Sequence, residues 1–129
     1  AGHSKKTLVC DLDNTLWGGV IGDDGPEGVL VGQGNPKAES FLELQNYILQ
    51  LKSRGIVLAI NSKNEKKLAE EGIAKSGGSL SCDDFASFVA NWEPKSQNIQ
   101  RIETELNLFQ DSFVFIDDNL SFNFSTIFT

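Results

Sequence analysis

The amino-acid sequence predicts a three-layer α/β domain built on a parallel sheet, and three observations predict it. The apolar runs Leu8-Val9-Cys10, Gly55-Ile56-Val57-Leu58-Ala59-Ile60 and Ser112-Phe113-Val114-Phe115-Ile116, with the weaker Phe85-Ala86-Ser87-Phe88-Val89-Ala90, have the pattern of strands buried on both faces. Segments of helical periodicity separate them, as in βαβ units with right-handed crossovers. Each run also ends in polar residues: Asp11-Leu12-Asp13-Asn14-Thr15, Asn61-Ser62-Lys63-Asn64, Asn91-Trp92-Glu93-Pro94-Lys95 and Asp117-Asp118-Asn119. Open parallel sheets bind ligands outside the carboxyl ends of their strands, where all of these residues fall.

Taken in chain order, the first strand is followed by a glycine-rich insert over residues 18–34. Seven glycines interleave there with Val20, Ile21, Val29, Leu30 and Val31, which predicts a short β-hairpin flap turned at Asp23-Asp24-Gly25. The first long helix begins at Asn35-Pro36, with asparagine as N-cap and proline at the first helical position. Phe41, Leu44, Ile48 and Leu51 recur at helical spacing, and Gly55 stops the helix. A second helix is expected from Glu65 to Ala74. A third starts at Glu93-Pro94 and turns Ile99, Ile102 and Leu106 inward. Ser76-Gly77-Gly78-Ser79 reads as a flexible loop or a place where residues are missing.

Length and composition bound the function. The 129 residues, 40% of them hydrophobic, fit one domain with one packed core. No apolar stretch approaches the roughly 20 residues of a membrane span, and there is no signal-peptide pattern. Ala1-Gly2-His3-Ser4 reads as a cloning remnant, which leaves residues 5–129 as a single catalytic domain. His3 is the one histidine, so histidine catalysis and zinc sites are set aside. Cys10 and Cys82 make neither a disulfide framework nor a metal motif, and a reduced, cytoplasmic setting is expected. The formal net charge of -7 disfavours nucleic acid as a partner. The chain has no methionine, and its tail carries three phenylalanines and an isoleucine beyond Ser121. A natural protein that continues past residue 129 is therefore expected.

The chemistry starts at Asp11 and Asp13. Period-2 geometry places two such carboxylates on one side of an extended chain, where they repel unless a cation holds them. A hard divalent cation, Mg²⁺, is the simplest partner, with Asp117 and Asp118 supplying further oxygen ligands. A carboxylate can attack phosphorus, so Asp11 is the candidate nucleophile and Asp13 the candidate general acid and base. Thr15 is placed to donate to phosphate or to cap the turn. Ser62 and Asn61 offer polar groups at the end of the second strand, with Trp17 a further candidate against substrate. Lys63 and Lys95 each offer a point charge, and Lys95 is preferred because it opens a helix, where backbone N–H groups also favour an anion. A calcium loop starting at Asp11 is excluded, since Leu16 stands where it needs glycine and Gly22 where it needs glutamate.

Aspartate-x-aspartate-x-threonine, a serine ending the next strand, a lysine and a paired aspartate together resemble the haloacid dehalogenase-like (HAD) superfamily. Asp11-Leu-Asp-Asn-Thr-Leu-Trp-Gly-Gly-Val-Ile-Gly-Asp-Asp-Gly25, Ile60-Asn-Ser-Lys-Asn-Glu65, Asp84-Phe-Ala86, Asn91-Trp-Glu-Pro-Lys-Ser-Gln-Asn-Ile99 and Phe115-Ile-Asp-Asp-Asn119 are similar to its FkbH-like branch, over roughly residues 5–120. The resemblance implies a Rossmann-like HAD fold with a small flap and no large cap. It implies a Mg²⁺-dependent enzyme that takes the glyceryl group of 1,3-bisphosphoglycerate, removes phosphate, and loads glyceryl as a thioester on the phosphopantetheine arm of an acyl carrier protein in polyketide biosynthesis. Asp11 would then be the phosphate-accepting nucleophile and Asp13 the acid/base. Ser62 and Lys95 would bind phosphate, and Asp117 with Asp11 and the Asp13 carbonyl would hold the metal. The acyl step calls for a cysteine. Cys10, beside Asp11, is the first candidate and Cys82 a weaker one; the alternative is that Cys10 is an inert core thiol, since strict alternation points it away from Asp11. Two further readings stand beside this one: a plain Mg²⁺-dependent phosphatase of the same superfamily, and a non-catalytic docking domain of a synthase. Two departures from the pattern are a short, glycine-rich region before Asp84 and Leu120-Ser121-Phe122 where the family has a proline and a charged stretch.

Overall fold

The computed structural model describes residues 5–118, so the expectations for residues 1–4, for Asn119 and for the apolar tail lie outside the described residues. Strands β1 (Thr7–Cys10), β2 (Val57–Lys63), β3 (Ser87–Asn91) and β4 (Phe113–Ile116) form one sheet in the order β3-β2-β1-β4. Every pairing is parallel, with Cys10 opposite Ile60 on one side and Ile116 on the other. Helices α1 (Ile21–Asp24), α2 (Pro36–Ser53), α3 (Lys66–Lys75) and α4 (Lys95–Leu106) fill the connections. This is the predicted α/β architecture with its four parallel strands.

Alternation along the strands builds two cores. Leu8, Cys10, Leu58, Ile60 and Ile116 pack with Ile48 and Leu51 of α2 and with Ala69 and Ile73 of α3. Val9, Ala59, Val89 and Phe113 pack with Ile102 of α4, flanked by Ile99 and Leu106. The α2 and α3 crossovers therefore cover one face and α4 the other. The chain moves outward from β1 to β2 and β3, then returns through α4 to place β4 on the far side of β1. The strand order thus reverses at β1, which leaves a crevice between the carboxyl ends of β1 and β4.

Local chemistry sets the helix ends. Asn35 Oδ1 accepts from Ala38 N–H at 2.9 Å, and Pro36 opens α2. This capping bond is of the kind worth about 1 kcal/mol. Gly55, with φ +98°, takes a conformation that suits glycine just beyond the end of α2. Helix α4 starts one residue later than expected, at Lys95, with Pro94 as the residue before it. Strand β2 runs on through Asn61, Ser62 and Lys63, because Ser62 and Lys63 pair with Ala90 and Asn91 of β3. The glycine-rich loop after α3 is anchored: Gln45, 2% exposed, accepts from Leu80 N–H at 3.1 Å and donates to the Leu16 carbonyl at 2.7 Å.

The insert departs from the expected hairpin. Its strand pairing is a single bridge between Gly18 and Leu30, and the segment around Asp23-Asp24 forms the one-turn helix α1, closed by Gly25 at φ +75°. Two anchors explain this. Asp13 Oδ1 accepts the Ile21 N–H at the start of α1 at 2.9 Å. Trp17 and Ile21 are buried against Gly72 of α3, where a Cβ would strike both side chains. Burying an indole removes ~150–250 Å² from water, on the order of 4–6 kcal/mol at ~25 cal/mol per Å². Among the described residues no helix is long and apolar enough to cross a membrane.

Candidate phosphoryl-transfer site

The two carboxylates after β1 part company. Asp11 continues the register of β1, donating its backbone N–H to the Ile116 carbonyl of β4 at 3.1 Å, and its side chain meets Lys95 at the start of α4. Lys95 Nζ lies 2.6 Å from Asp11 Oδ2, joining residues 84 positions apart in the chain. Beyond Asp11 the chain turns tightly. Asn14 takes the left-handed conformation at φ 53°, and its side-chain oxygen accepts from Gly19 N–H at 2.9 Å. This turn carries Asp13 to the other side of the site.

Asp13 is held by three donors. Its Oδ1 accepts from Trp17 Nε1 at 3.1 Å and from Ile21 N–H at 2.9 Å, and its Oδ2 accepts from Asn64 Nδ2 at 3.0 Å. Asn64 Nδ2 also lies 2.9 Å from Ser62 Oγ. Thr15 is buried, and its hydroxyl donates to the Asp13 carbonyl at 3.3 Å, so it serves as the turn cap.

The Asp11–Lys95 pair opens on a cavity of about 140 Å³. Asn61 and Asp117 give it polar walls, and Val9, Ile99, Phe115 and Ile116 give it apolar ones. Asn61 belongs to a braced amide cluster. Asn98 of α4, 2% exposed, donates to Asn61 Oδ1 at 3.1 Å and to Asn91 Oδ1 at 2.9 Å. Asn91 Nδ2 donates back to Asn98 Oδ1 at 3.2 Å, and Asn61 Nδ2 donates to the Lys95 carbonyl at 3.2 Å. The cluster ties the carboxyl ends of β2 and β3 to the first turn of α4, and so fixes the base of Lys95.

Several expectations are corrected by this geometry. Cys10 borders the cavity but is 0% exposed, and its Sγ points to the Leu8 carbonyl within the α2–α3 core. Burial, and then the neighbouring Asp11 carboxylate, push its thiol well above the ordinary range, so the nucleophilic thiolate is suppressed. An acyl-carrying Cys10 is therefore not supported. Trp17 is 0% exposed; it orients Asp13 and offers no face to a substrate. Lys63 is exposed at the end of β2 and does not line the cavity, in line with the preference for Lys95. Asp118 is exposed and also lies outside the cavity wall, as do Asp13 and the buried Ser62, which join the site through Asn64 instead.

The four-carboxylate metal set is not assembled either. The Asp13 carboxylate is turned to nitrogen donors, and among the described residues no group of three or more His, Cys, Asp or Glu is placed to hold a metal. A smaller set remains. Mg²⁺ is held by one or two carboxylates together with waters and substrate phosphate, rather than by an all-protein cage. Asp11 and Asp117 reach one cavity from adjacent strands, so this pair fits Mg²⁺ by donor chemistry.

Asn64 and Asn98 were not singled out from the sequence as site residues. Asn64 had a signal in its position two residues past Ser62, at the end of a strand. Asn98 had only its place one turn into the helix that starts at Lys95.

No family model matches the chain, and no curated protein matches it. Among solved structures it is similar to the crystal structure of the N-terminal part of the protein BF1531 from Bacteroides fragilis, containing a phosphatase domain complexed with Mg. The two are 49% identical with a TM-score of 0.86, over 92% of this chain and 32% of that one. The chain thus spans about a third of the length of the structure it matches.

Proposed function

We propose that this domain is a Mg²⁺-dependent phosphatase in which Asp11 is the nucleophile. The observation that carries the reading is the 2.6 Å contact between Lys95 Nζ and Asp11 Oδ2 at the strand-order reversal, with Asp117 on the same cavity. The likeness to a phosphatase domain complexed with Mg supports it. Asp11 and Asp117 would hold the metal, which when bound shields the repulsion between a carboxylate nucleophile and phosphoryl oxygens.

The chain's own residues then divide the work. Lys95 moves from Asp11 to the phosphoryl oxygens, which frees the carboxylate and neutralises the incoming charge. Asp11 Oδ attacks phosphorus, the bond from phosphorus to the leaving oxygen breaks, and Asp13 gives that oxygen its proton. Asp13, now ionised, takes a proton from water as the water attacks phosphorus. The Asp11–phosphorus bond breaks and inorganic phosphate leaves. Trp17, Ile21 and Asn64 hold Asp13 in place for both proton transfers.

The test is hydrolysis of p-nitrophenyl phosphate or acetyl phosphate. Turnover is expected with Mg²⁺, lost on chelation and restored by added Mg²⁺. Turnover that is indifferent to chelation contradicts the reading.

The finer proposal, glyceryl transfer from 1,3-bisphosphoglycerate to the phosphopantetheine arm of an acyl carrier protein, is supported by the motif likeness. It needs an acceptor thiol other than the buried Cys10. Intact mass after incubation with 1,3-bisphosphoglycerate checks this. A glyceryl adduct lost in Cys10→Ala would contradict the inert assignment of that thiol.

A further inference from the structure

We propose that Asn64 is a positioning residue that sets the hydrogen-bond polarity of the site. It holds the Asp13 carboxylate as an acceptor and turns the Ser62 hydroxyl hydrogen toward a bound phosphoryl oxygen. The inference rests on the phosphatase reading for what the oxygen belongs to, but its chemistry stands on the side chains alone.

Asp13 Oδ2 takes its hydrogen bond from the nitrogen of the Asn64 amide, 3.0 Å away, while Oδ1 accepts from two other N–H groups. The same nitrogen lies 2.9 Å from Ser62 Oγ. Its two hydrogens are therefore both assigned, one to each oxygen. A hydroxyl has two lone pairs and one hydrogen. With Asn64 donating to one lone pair, the Ser62 hydrogen points elsewhere, and no acceptor for it is found among the described residues. Ser62 is 1% exposed and Asn64 3%, so water offers little compensation. A buried donor without an acceptor is costly, and an anion at the strand ends would relieve that cost. The other oxygen of Asp13 is already tied to Trp17 and Ile21, so Asn64 is the link that couples Asp13 to the Ser62 hydroxyl.

The experiment is a double-mutant cycle with Asn64→Ala, Ser62→Ala and the pair. Affinity for inorganic phosphate is read by calorimetry with Mg²⁺ present, and kcat and KM are read with p-nitrophenyl phosphate. Removal of such a supporting partner typically lowers activity or affinity by about 10–100-fold, and that loss is expected for Asn64→Ala in both phosphate affinity and kcat. In the Ser62→Ala background Asn64→Ala should weaken phosphate binding by much less, because residues acting through one another are not additive. Asn64→Leu, close in size and neutral but without the two donors, should behave like Asn64→Ala, and it repeats the test if the alanine variant does not fold. Wild-type phosphate affinity and kcat in Asn64→Ala, or full additivity in the cycle, would overturn the inference. If the wild type binds phosphate through Asn64 but hydrolyses no ester, the phosphatase reading fails and the inference survives. If hydrolysis is present and indifferent to Asn64, only the inference fails. If phosphate does not bind to the wild type, the inference is overturned whatever the turnover.

Discussion

The two halves of the site are built in opposite ways. On the α2–α3 side, Asp13 is gripped by Trp17, Ile21 and Asn64, groups from the turn, from the one-turn helix and from the end of β2. On the α4 side, Asp11 Oδ1 accepts the neighbouring Leu12 N–H at 2.8 Å and Oδ2 meets the Lys95 ammonium, whose side chain is 37% exposed. The first half is preorganised by several hydrogen bonds whose donors are themselves buried. The second rests on one local backbone hydrogen bond and a partly exposed ion pair, of a kind worth little to stability and easily exchanged. The difference fits the chemistry asked of each. A proton donor works best in one fixed place, whereas Lys95 must leave Asp11 before that carboxylate can attack. What is fixed on the open side is the base of Lys95, through the Asn61–Asn98–Asn91 cluster, while its charged end is held by the exchangeable pair with Asp11.

The largest effect expected is from Asp11→Asn, which should lower kcat at least about 10³-fold with an unchanged circular dichroism spectrum, since loss of a nucleophile removes the covalent route. Retained turnover would move the nucleophile elsewhere and break the comparison. Lys95→Met should cost about 10²–10³-fold in kcat, the scale of one preorganised charge on a transition state, and leave thermal stability nearly unchanged. A large fall in the melting temperature would mean that the open half is structural after all.

Gly72→Ala sharpens the contrast from the other side. The added methyl meets Ile21 and Trp17, so about 1–3 kcal/mol of stability should be lost in chemical denaturation, with a fall in kcat as Asp13 loses its supports. Asn98→Ala should cost about 1–3 kcal/mol, because Asn61 and Asn91 each lose a donor. The smallest effect on turnover belongs to Cys10→Ala, expected within about twofold of wild type because its thiol lies in the core. Its signature is in stability against pH. The folded thiol titrates above its ordinary value of 9.0, so the folded state keeps a proton that the unfolded state has lost. Stability from this group is complete below that value and declines as pH rises through it, by up to about 1.4 kcal/mol per pH unit. Cys10→Ala should flatten that decline in denaturation measured from pH 8 to 10.

Much of this was legible in the sequence for a physical reason. Strands buried on both faces must be apolar throughout, so β1, β2 and β4 announced themselves, and the polar residues at their ends located the site. Asn35-Pro36 marked α2 because capping is local chemistry. The insert was misread because its conformation is decided by partners far along the chain. Trp17 and Ile21 settle against Gly72, and Asp13 reaches the start of α1, contacts that a count of glycines does not encode. Asp13 and Asp11 were read as a pair on one side because period-2 geometry holds only while the strand lasts, and β1 ends at Cys10. The alternation rule did place Cys10 correctly, away from Asp11 and in the core, where a motif likeness alone would have made it a nucleophile. Asn64 and Asn98 stayed hidden because an asparagine near a strand end is an ordinary turn residue until its partners are in view.

The central claim is that phosphate passes through Asp11. Borohydride reduces an aspartyl phosphate to homoserine, so quenching the enzyme with borohydride during turnover of acetyl phosphate with Mg²⁺ and mapping the peptide around residue 11 tests it directly. The account predicts homoserine at position 11, absent without Mg²⁺ and absent when substrate is withheld. Steady phosphate release with position 11 left as aspartate, or a trapped residue elsewhere in the chain, would contradict it.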